Sequence, residues 1–494
     1  MNCPRRVVLL ACLVLSLAIG GTASAQGDDF SPFGSPTRSN PEADQARSAA
    51  EQAYHQGNYQ QVVELANRLL ANFPKDNPHV GFHLRASAQV ELGRLARSGK
   101  QIRAGIADAQ QAIAVAGKKY EWLYIPYLYG LTSLAEVEQR PDHAKMAIDV
   151  VSPVLQRPVD AEFSAEDKAN LHYQRGLAHG ARQDLKLALV DFEEALQLSP
   201  EHLGSHLRRA DTLARQGRTQ DAASAYDEAV RRFPKAVVVQ NDRGNFRRTT
   251  GDLEGAAADF TRALELEPKF VVGYLNRGLC LADQNEPQAA QADFTSALGM
   301  PIDPGLKLLA LRLRGQAQAA QGELSGALAD YAAALQIAPQ DGSLYEERGV
   351  LHFFKKDMAA SAGDFAKALQ LNPRLTRLTP WQAAALTRHG QTAQARQALA
   401  ATQESKFPPN AWVVKLDGFL ADQVSDEELL AAAQDLPPES GRAQRACEAH
   451  FFIGQKKLIA GDEEGATRQF RQALATGAFM LPAFRGARFE LHDF

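Results

Sequence analysis

Residues 169–200 read ANLHYQRGLAHGARQDLKLALVDFEEALQLSP, residues 203–234 read LGSHLRRADTLARQGRTQDAASAYDEAVRRFP, and residues 237–268 read VVVQNDRGNFRRTTGDLEGAAADFTRALELEP. Laid over one another they end on Pro200, Pro234 and Pro268, and Pro339 and Pro373 repeat the same 34-residue step after a short insertion. A fixed period of that length marks a helical repeat array, in which each unit buries its apolar face only against its neighbours. The proline cannot continue a helix, so it closes the second helix of each unit and starts the turn.

Six units superimpose between residues 169 and 375. Their eighth position is small throughout: Gly176, Ala210, Gly244, Gly278, Gly315 and Gly349. Their twentieth is Ala188, Ala222, Ala256, Ala290, Ala327 or Ser361, and four residues later stands a ring, Phe192, Tyr226, Phe260, Phe294, Tyr331 or Phe365. Small residues at a helix crossing let two backbones approach, and a ring one turn further on fills the space beside them. Gly217, Gly251 and Gly322, between the paired helices, are expected in the left-handed conformation that ends the first helix.

These residues resemble the tetratricopeptide repeat, over most of 43–480. Tyr274 and Tyr345 match that family's aromatic fourth position, and His172, His206, Gln240 and Leu311 depart from it. The resemblance implies an all-α fold, an α-α superhelix of about twelve repeats. Irregular repeats are expected over 43–168, starting with one at 43–76; the regular array follows over 169–375. C-terminal repeats at 376–409 and 447–480 come next, and an amphipathic capping helix within 482–494 covers the last apolar face.

The N-terminus has a different grammar. Arg5 and Arg6 precede an apolar run from Val7 to Ile19, and Ala23-Ser24-Ala25 precedes Gln26, which reads as a cleaved signal peptide of 25 residues. A linker over 26–42, rich in Ser, Pro, Gly and Asp and carrying Phe30 and Phe33, is too polar to order itself. Cleavage removes two arginines and no acid, leaving 52 Lys+Arg against 58 Asp+Glu. That mild acidity excludes a nucleic-acid footprint, and no later segment is apolar enough to span a membrane. Of the four cysteines, Cys3 and Cys12 leave with the signal, and Cys280 and Cys447 lie too many repeats apart to bridge. The expected location is the periplasm or the exterior of a bacterial cell.

The seventh position, usually leucine in the family, is arginine six times: Arg175, Arg209, Arg243, Arg277, Arg314 and Arg348. Sixteen residues after five of them stands an aspartate, Asp191, Asp259, Asp293, Asp330 or Asp364, whereas Arg209 meets Ala225 at that place. The ladder is read as internal Arg–Asp bridges, because half-buried guanidinium groups need carboxylate partners. A cationic stripe for an acidic ligand is the competing reading, and Arg209 is left for a ligand or for Asp227.

The resemblance also implies that first helices line an inner groove. The positions it selects give a candidate partner-binding set of Tyr173, Leu207, Asp211, Arg215, Asn241, Asn245, Arg248, Asp283, Arg312, Gln316, Glu346 and Phe353. Asparagine amides beside apolar groups suit an extended peptide. A chaperone-tail clamp does not fit. Asn245 and Asn276 match its asparagines, but Asn241 and Leu309 stand where lysines belong and Leu313 where its arginine belongs.

Tyr120, Trp122, Tyr124, Tyr127 and Tyr129 crowd an irregular junction, either as buried filler or as an exposed recognition patch. His79 with His83, and His202 with His206, have the spacing of two metal ligands on one helix but lack a third. No phosphate loop, nucleophile elbow or zinc-protease motif is present, so neither catalytic residue nor cofactor is assigned. The C-terminal third, through Trp412, Gly418, Ser425-Asp426-Glu427-Glu428, Gly454 and Glu490-Leu491, is similar to the end of the envelope lipoprotein new lipoprotein I, which implies an adaptor role. The reading is an exported scaffold that holds a protein or peptide in its groove, with a structural part of an envelope assembly as the alternative.

Overall fold

The computed structural model describes residues 40–116, 120–160, 163–404, 406–435 and 441–491. The signal call over 1–25 and the linker call over 26–42 up to residue 39, with Phe30 and Phe33, lie outside them, whereas Pro41 and Glu42, at the linker's end, already belong to a helix capped by Asn40. The chain divides into two compact units, one ending at Gly273 and one beginning at Tyr274, within the regular array.

The N-terminal unit is six helix pairs: α1 (Pro41–His55) with α2 (Tyr59–Asn72), α3 (Pro78–Leu95) with α4 (Gly99–Ala116), α5 (Tyr124–Glu138) with α6 (Pro141–Leu155), α7 (Ala165–Ala181) with α8 (Leu185–Leu198), α9 (Leu203–Arg215) with α10 (Thr219–Arg232), and α11 (Val237–Thr250) with α12 (Leu253–Leu266). The C-terminal unit continues with α13 (Val271–Asp283) and α14 (Pro287–Leu298), α15 (Pro304–Ala320) and α16 (Leu324–Ile337), α17 (Gly342–Phe354) and α18 (Met358–Leu371), α19 (Thr379–Arg388) and α20 (Thr392–Gln403), α21 (Ala411–Leu420) and α22 (Asp426–Gln434), α23 (Arg442–Ile459) and α24 (Glu463–Ala475), and a last helix α25 (Pro482–Leu491). The fold is all-α, with twelve helix pairs and a final helix among the described residues. The α21/α22 pair has helices of only 10 and 9 residues, which hid it from a 34-residue template, although its start carries the capping box Ser425–Glu428.

The repeat chemistry works as read. A Cβ on Gly176, Gly244 or Gly278 would lie 2.6–2.7 Å from the ring of Phe192, Phe260 or Phe294, so only glycine admits the ring there. Those rings are at most 2% exposed. Gly217, Gly251 and Gly322 take φ of 76°, 94° and 82°, as the turn requires, and Gln183, Asn285 and Lys356 hold the same conformation without glycine's freedom. Asp252, Asp357 and Asp462 then cap the second helix by accepting from the backbone N–H three residues on.

Two of the four fourth-position departures, His206 and Gln240, keep one function. His206 Nε2 lies 2.9 Å from the carbonyl of Pro200, Gln240 donates to Pro234 at 3.4 Å and Tyr345 to Pro339 at 3.3 Å. Each thus ties a helix to the turn before it, Tyr345 through its hydroxyl and the two departures through nitrogen, whereas His172 bonds Asp191 at 3.0 Å instead and Leu311 has no polar atom to offer.

Candidate functional site: the inner faces of the two units

The arginine ladder is internal. Arg175, Arg243, Arg277, Arg314 and Arg348 each meet the aspartate sixteen residues on, at 2.6–2.7 Å through Nη2 and with Nε on the same carboxylate. The hydrogen bonds to Asp293, Asp330 and Asp364 push Arg277, Arg314 and Arg348 above their usual pKa. Burial would raise Asp191, but hydrogen bonds from His172 and Arg175 hold it below the ordinary carboxylate range. Arg209 pairs with Glu228, and Asp227 is taken by Arg243 at 2.9 Å. A further rung, Arg85 on Asp108 at 2.6 Å, spans 23 residues and so fell outside the sixteen-residue rule.

In the N-terminal unit the first helices α3, α5, α7, α9 and α11 turn one side toward each other. Glu136 on α5 is exposed, yet the surrounding protein raises its pKa while Arg208, Arg94 and Arg215 pull it down. These helices present a polar face on which Arg208 is half-buried. Desolvation lowers its pKa, but the charges of Tyr173, Asp211, Asp242 and Tyr226 raise it above the usual value. Among the described residues no hydrogen bond holds its guanidinium. Burial pushes Asp242 up to about 6, against the opposing pull of Arg208 and of the Asn241 amide, which donates to it at 3.2 Å. Gln174 Oε1 and Asn245 Oδ1 are buried acceptors with no hydrogen-bond partner among the described residues.

Of the nominated residues in this unit, Tyr173 and Asp211 interact electrostatically with Arg208, and Arg215 with Glu136. Tyr173 leans on His202, rings 4.9 Å apart, and Arg215 reaches Asp211 at 3.9 Å and Gln183 at 3.0 Å. Asn245, on α11, is half-buried. Leu207, Asn241 and Arg248 are 3%, 0% and 8% exposed, so they support the face from within. Sequence reasoning missed Arg208, Asp242 and Gln174. All three hold the sixth position of their repeats, one residue beyond a position that was selected.

The C-terminal unit differs. Phe353 and Phe354 on α17, Trp381 on α19, Phe451 and Phe452 on α23 and Phe489 on α25 converge on its inner side. Trp381 lies 5.2 Å from Phe353 and 4.9 Å from Phe451, and Phe354 stacks on Phe489 at 4.7 Å. Phe353 is 1% exposed and unavailable to a partner; apolar side chains at groove positions have closed the face by burying one another. The polar nominees lie on the rim. Arg312 and Gln316 both bind Glu347, and Glu346 accepts two bonds from Arg377, at 2.6 and 2.7 Å. Asp283 is exposed at the end of α13.

The aromatic junction is mixed: Tyr127 is buried, Trp122, Tyr124 and Tyr129 are half-buried, and Tyr120 is 38% exposed, stacked on His79 at 5.4 Å. His83 packs against Trp122 at 4.7 Å, and burial lowers it to about 3. His202 Nδ1 caps α9 by accepting from Ser205 N–H. Among the described residues no cluster of three metal-ligating side chains occurs, and no helix is long and apolar enough to cross a membrane. Cys280 and Cys447 are buried thiols.

A family model described as Tetratricopeptide repeat matches residues 173–237, 241–306 and 281–342. Among solved structures, a tetratricopeptide repeat protein from Parabacteroides merdae is 15% identical, covering 56% of this chain and 100% of its own at a TM-score of 0.38. A thermophilic TPR protein from Thermus thermophilus is 24% identical, covering 37% of this chain and 99% of its own at 0.30. YrrB, described as a TPR protein with an unusual peptide-binding site, is 20% identical, covering 37% of this chain and 92% of its own at 0.32. No curated protein matches the chain.

Proposed function

We propose, from the premise that the chain carries tetratricopeptide repeats between residues 173 and 342, that it is a protein-binding scaffold whose N-terminal unit holds an extended peptide segment of a partner. Such repeat arrays act through extended surfaces rather than chemistry. The observation that carries the reading is a polar face with unspent hydrogen-bonding capacity. Gln174 and Asn245 offer acceptors that no described residue uses, and Arg208 offers donors held only by the surrounding charge. A peptide main chain supplies one donor and one acceptor per residue and satisfies both kinds. Buried polar groups without partners cost about 1–3 kcal/mol each, so a ligand that pairs them gains what the free face lacks.

Tyr173 supplies the apolar contact and Asp211 with Asp242 the preference for a basic side chain on the peptide. The grammar of residues 1–25 supports a location outside the cytoplasm for this binding. A structural role in an envelope assembly is favoured by a different feature, the exposed Leu187 (52%) and Val190 (51%) on α8. The two separate in one experiment, selection of a random peptide library on the full chain and on an Arg208→Ala, Asn245→Ala variant. Peptides that the variant releases support binding on this polar face. Peptides held equally by both proteins refute it, and transfer the assignment to the outer helices.

A further inference from the structure

The final helix α25 does more than cover the last pair. Besides α23 and α24, it lies against α17, three pairs earlier in the chain, and so fills the inner face of the C-terminal unit. Its contacts form a pattern. A Cβ on Gly486 would lie 2.7 Å from Phe451 and 3.1 Å from Phe354, so the helix backbone rests directly on those rings. Ala483 and Ala487 are 1% and 0% exposed on the same side. Phe489 stacks on Phe354 with planes 19° apart. Glu490 then closes the helix end, paired with Arg388, accepting from Gln455 at 3.1 Å and lying 3.8 Å from Lys356.

This is the chemistry of an amphipathic helix seated in a groove, supplied by the chain itself. The helix is poorly equipped to stand as a fixed wall. It has 10 residues, fewer than the roughly 12–15 that an isolated helix needs, and carries Gly486 in its interior, which costs about 1 kcal/mol of helix propensity. It joins α24 through Gly477, at φ 67°, and a turn whose Phe479 and Met480 are 67% and 59% exposed. Its polar anchor, Arg388 and Lys356, would serve any helix presenting a carboxylate at the same place.

We propose that the inner face formed by Phe354, Phe451, Arg388 and Lys356 is a helix-binding site that α25 occupies in cis and releases to a partner helix of the same pattern: a small residue, two more small residues three and four positions on, then an aromatic and an acid six and seven positions on. The apparent affinity for such a partner is lowered by the fraction of molecules in which α25 is seated. Weakening the cis helix therefore tightens binding in trans, without altering the groove.

The test uses the full chain and a fluorescent peptide of residues 482–494, read by anisotropy. The Glu490→Lys variant, whose own helix meets Arg388 and Lys356 with a like charge, is expected to bind the peptide about ten-fold or more tightly than the native protein. Adding Phe354→Ala to that variant is expected to abolish the gain. Hydrogen exchange in the native protein supplies a reading that needs no variant: α25 amides exchanging well ahead of those of α23 support local release. Peptide binding no tighter in the Glu490→Lys variant overturns the proposal. So does α25 exchange at the rate of α23, which makes the helix a permanent part of the core.

Discussion

Asp417, on α21, is 0% exposed, and neither carboxyl oxygen has a hydrogen-bond partner among the described residues. Burial alone raises its pKa from 3.8 to about 8. An acid whose folded pKa lies above its unfolded value keeps its proton in the folded state after the unfolded chain has lost it. Its contribution is therefore most favourable below pH 3.8, falls as pH rises toward 8 and is level above that. The slope is about 1.4 kcal/mol per pH unit, so about 4 kcal/mol has been lost at pH 7. Asp417→Asn keeps the shape and cannot ionise. Its stability relative to the native protein is expected to rise by about 3 kcal/mol between pH 5 and pH 7, whatever fixed offset the amide brings. The assay is urea unfolding at pH 5, 6, 7 and 8 followed by tryptophan fluorescence, since Trp381 and Trp412 both lie in this unit. Native and variant midpoints that run parallel across the series would show that Asp417 is ionised in the folded protein, through a partner or water that reaches it, and would refute the reasoning.

Arg243→Ala leaves Asp259, 3% exposed, to Arg247 and is expected to cost about 3 kcal/mol in chemical unfolding. Arg209→Ala gives up a bridge to Glu228, a half-exposed partner, and about 1 kcal/mol or less. Equal losses would mean that the ladder does not carry the stability assigned to it. Gly244→Ala sets about 1 kcal/mol of gained helix propensity against about 1–3 kcal/mol of overpacking on Phe260, and is expected to lower the melting temperature. Gly363→Ala, in α18 with nothing within 4 Å of its added Cβ, is expected to raise it by about 2–4 °C, and a fall would contradict the packing described. Gln139→Gly relieves a side chain held at φ 53° and is expected to stabilise by about 1 kcal/mol, read from the urea midpoint.

The helix pairs of the regular array were legible because every signal lies within one hairpin or its neighbour. Gly244 under Phe260 and Arg243 on Asp259 are each sixteen residues apart, a separation the chain repeats and a pattern search detects. The α3/α4 pair lies off the 34-residue step because its helices are 18 residues long, and its Arg85–Asp108 rung spans 23. The nominated face was legible only in part. Tyr173, Asp211, Arg215 and Asn245 keep some exposure, yet Leu207 and Asn241, chosen by the same rule, are buried. Which way a helix rolls against its neighbours decides this, and a shift of one residue turns a helix by about 100°, enough to exchange Asn241 for Asp242.

By itself the sequence determined the helical repeat, its pairing, its glycine–ring crossings and its arginine ladder, because these are local and periodic. Tertiary structure decided which inner face is closed. The C-terminal unit closes on itself through contacts such as Arg388 with Glu490, 102 residues apart, and Phe354 on Phe489, which no repeat period encodes. The physical reason is that curvature accumulates over successive pairs, and only when it is summed do distant side chains meet. Where those side chains are aromatic, as in the C-terminal unit, burial draws the face shut; where they are Arg208, Asp211 and Asp242, the cost of desolvating charge opposes such closure.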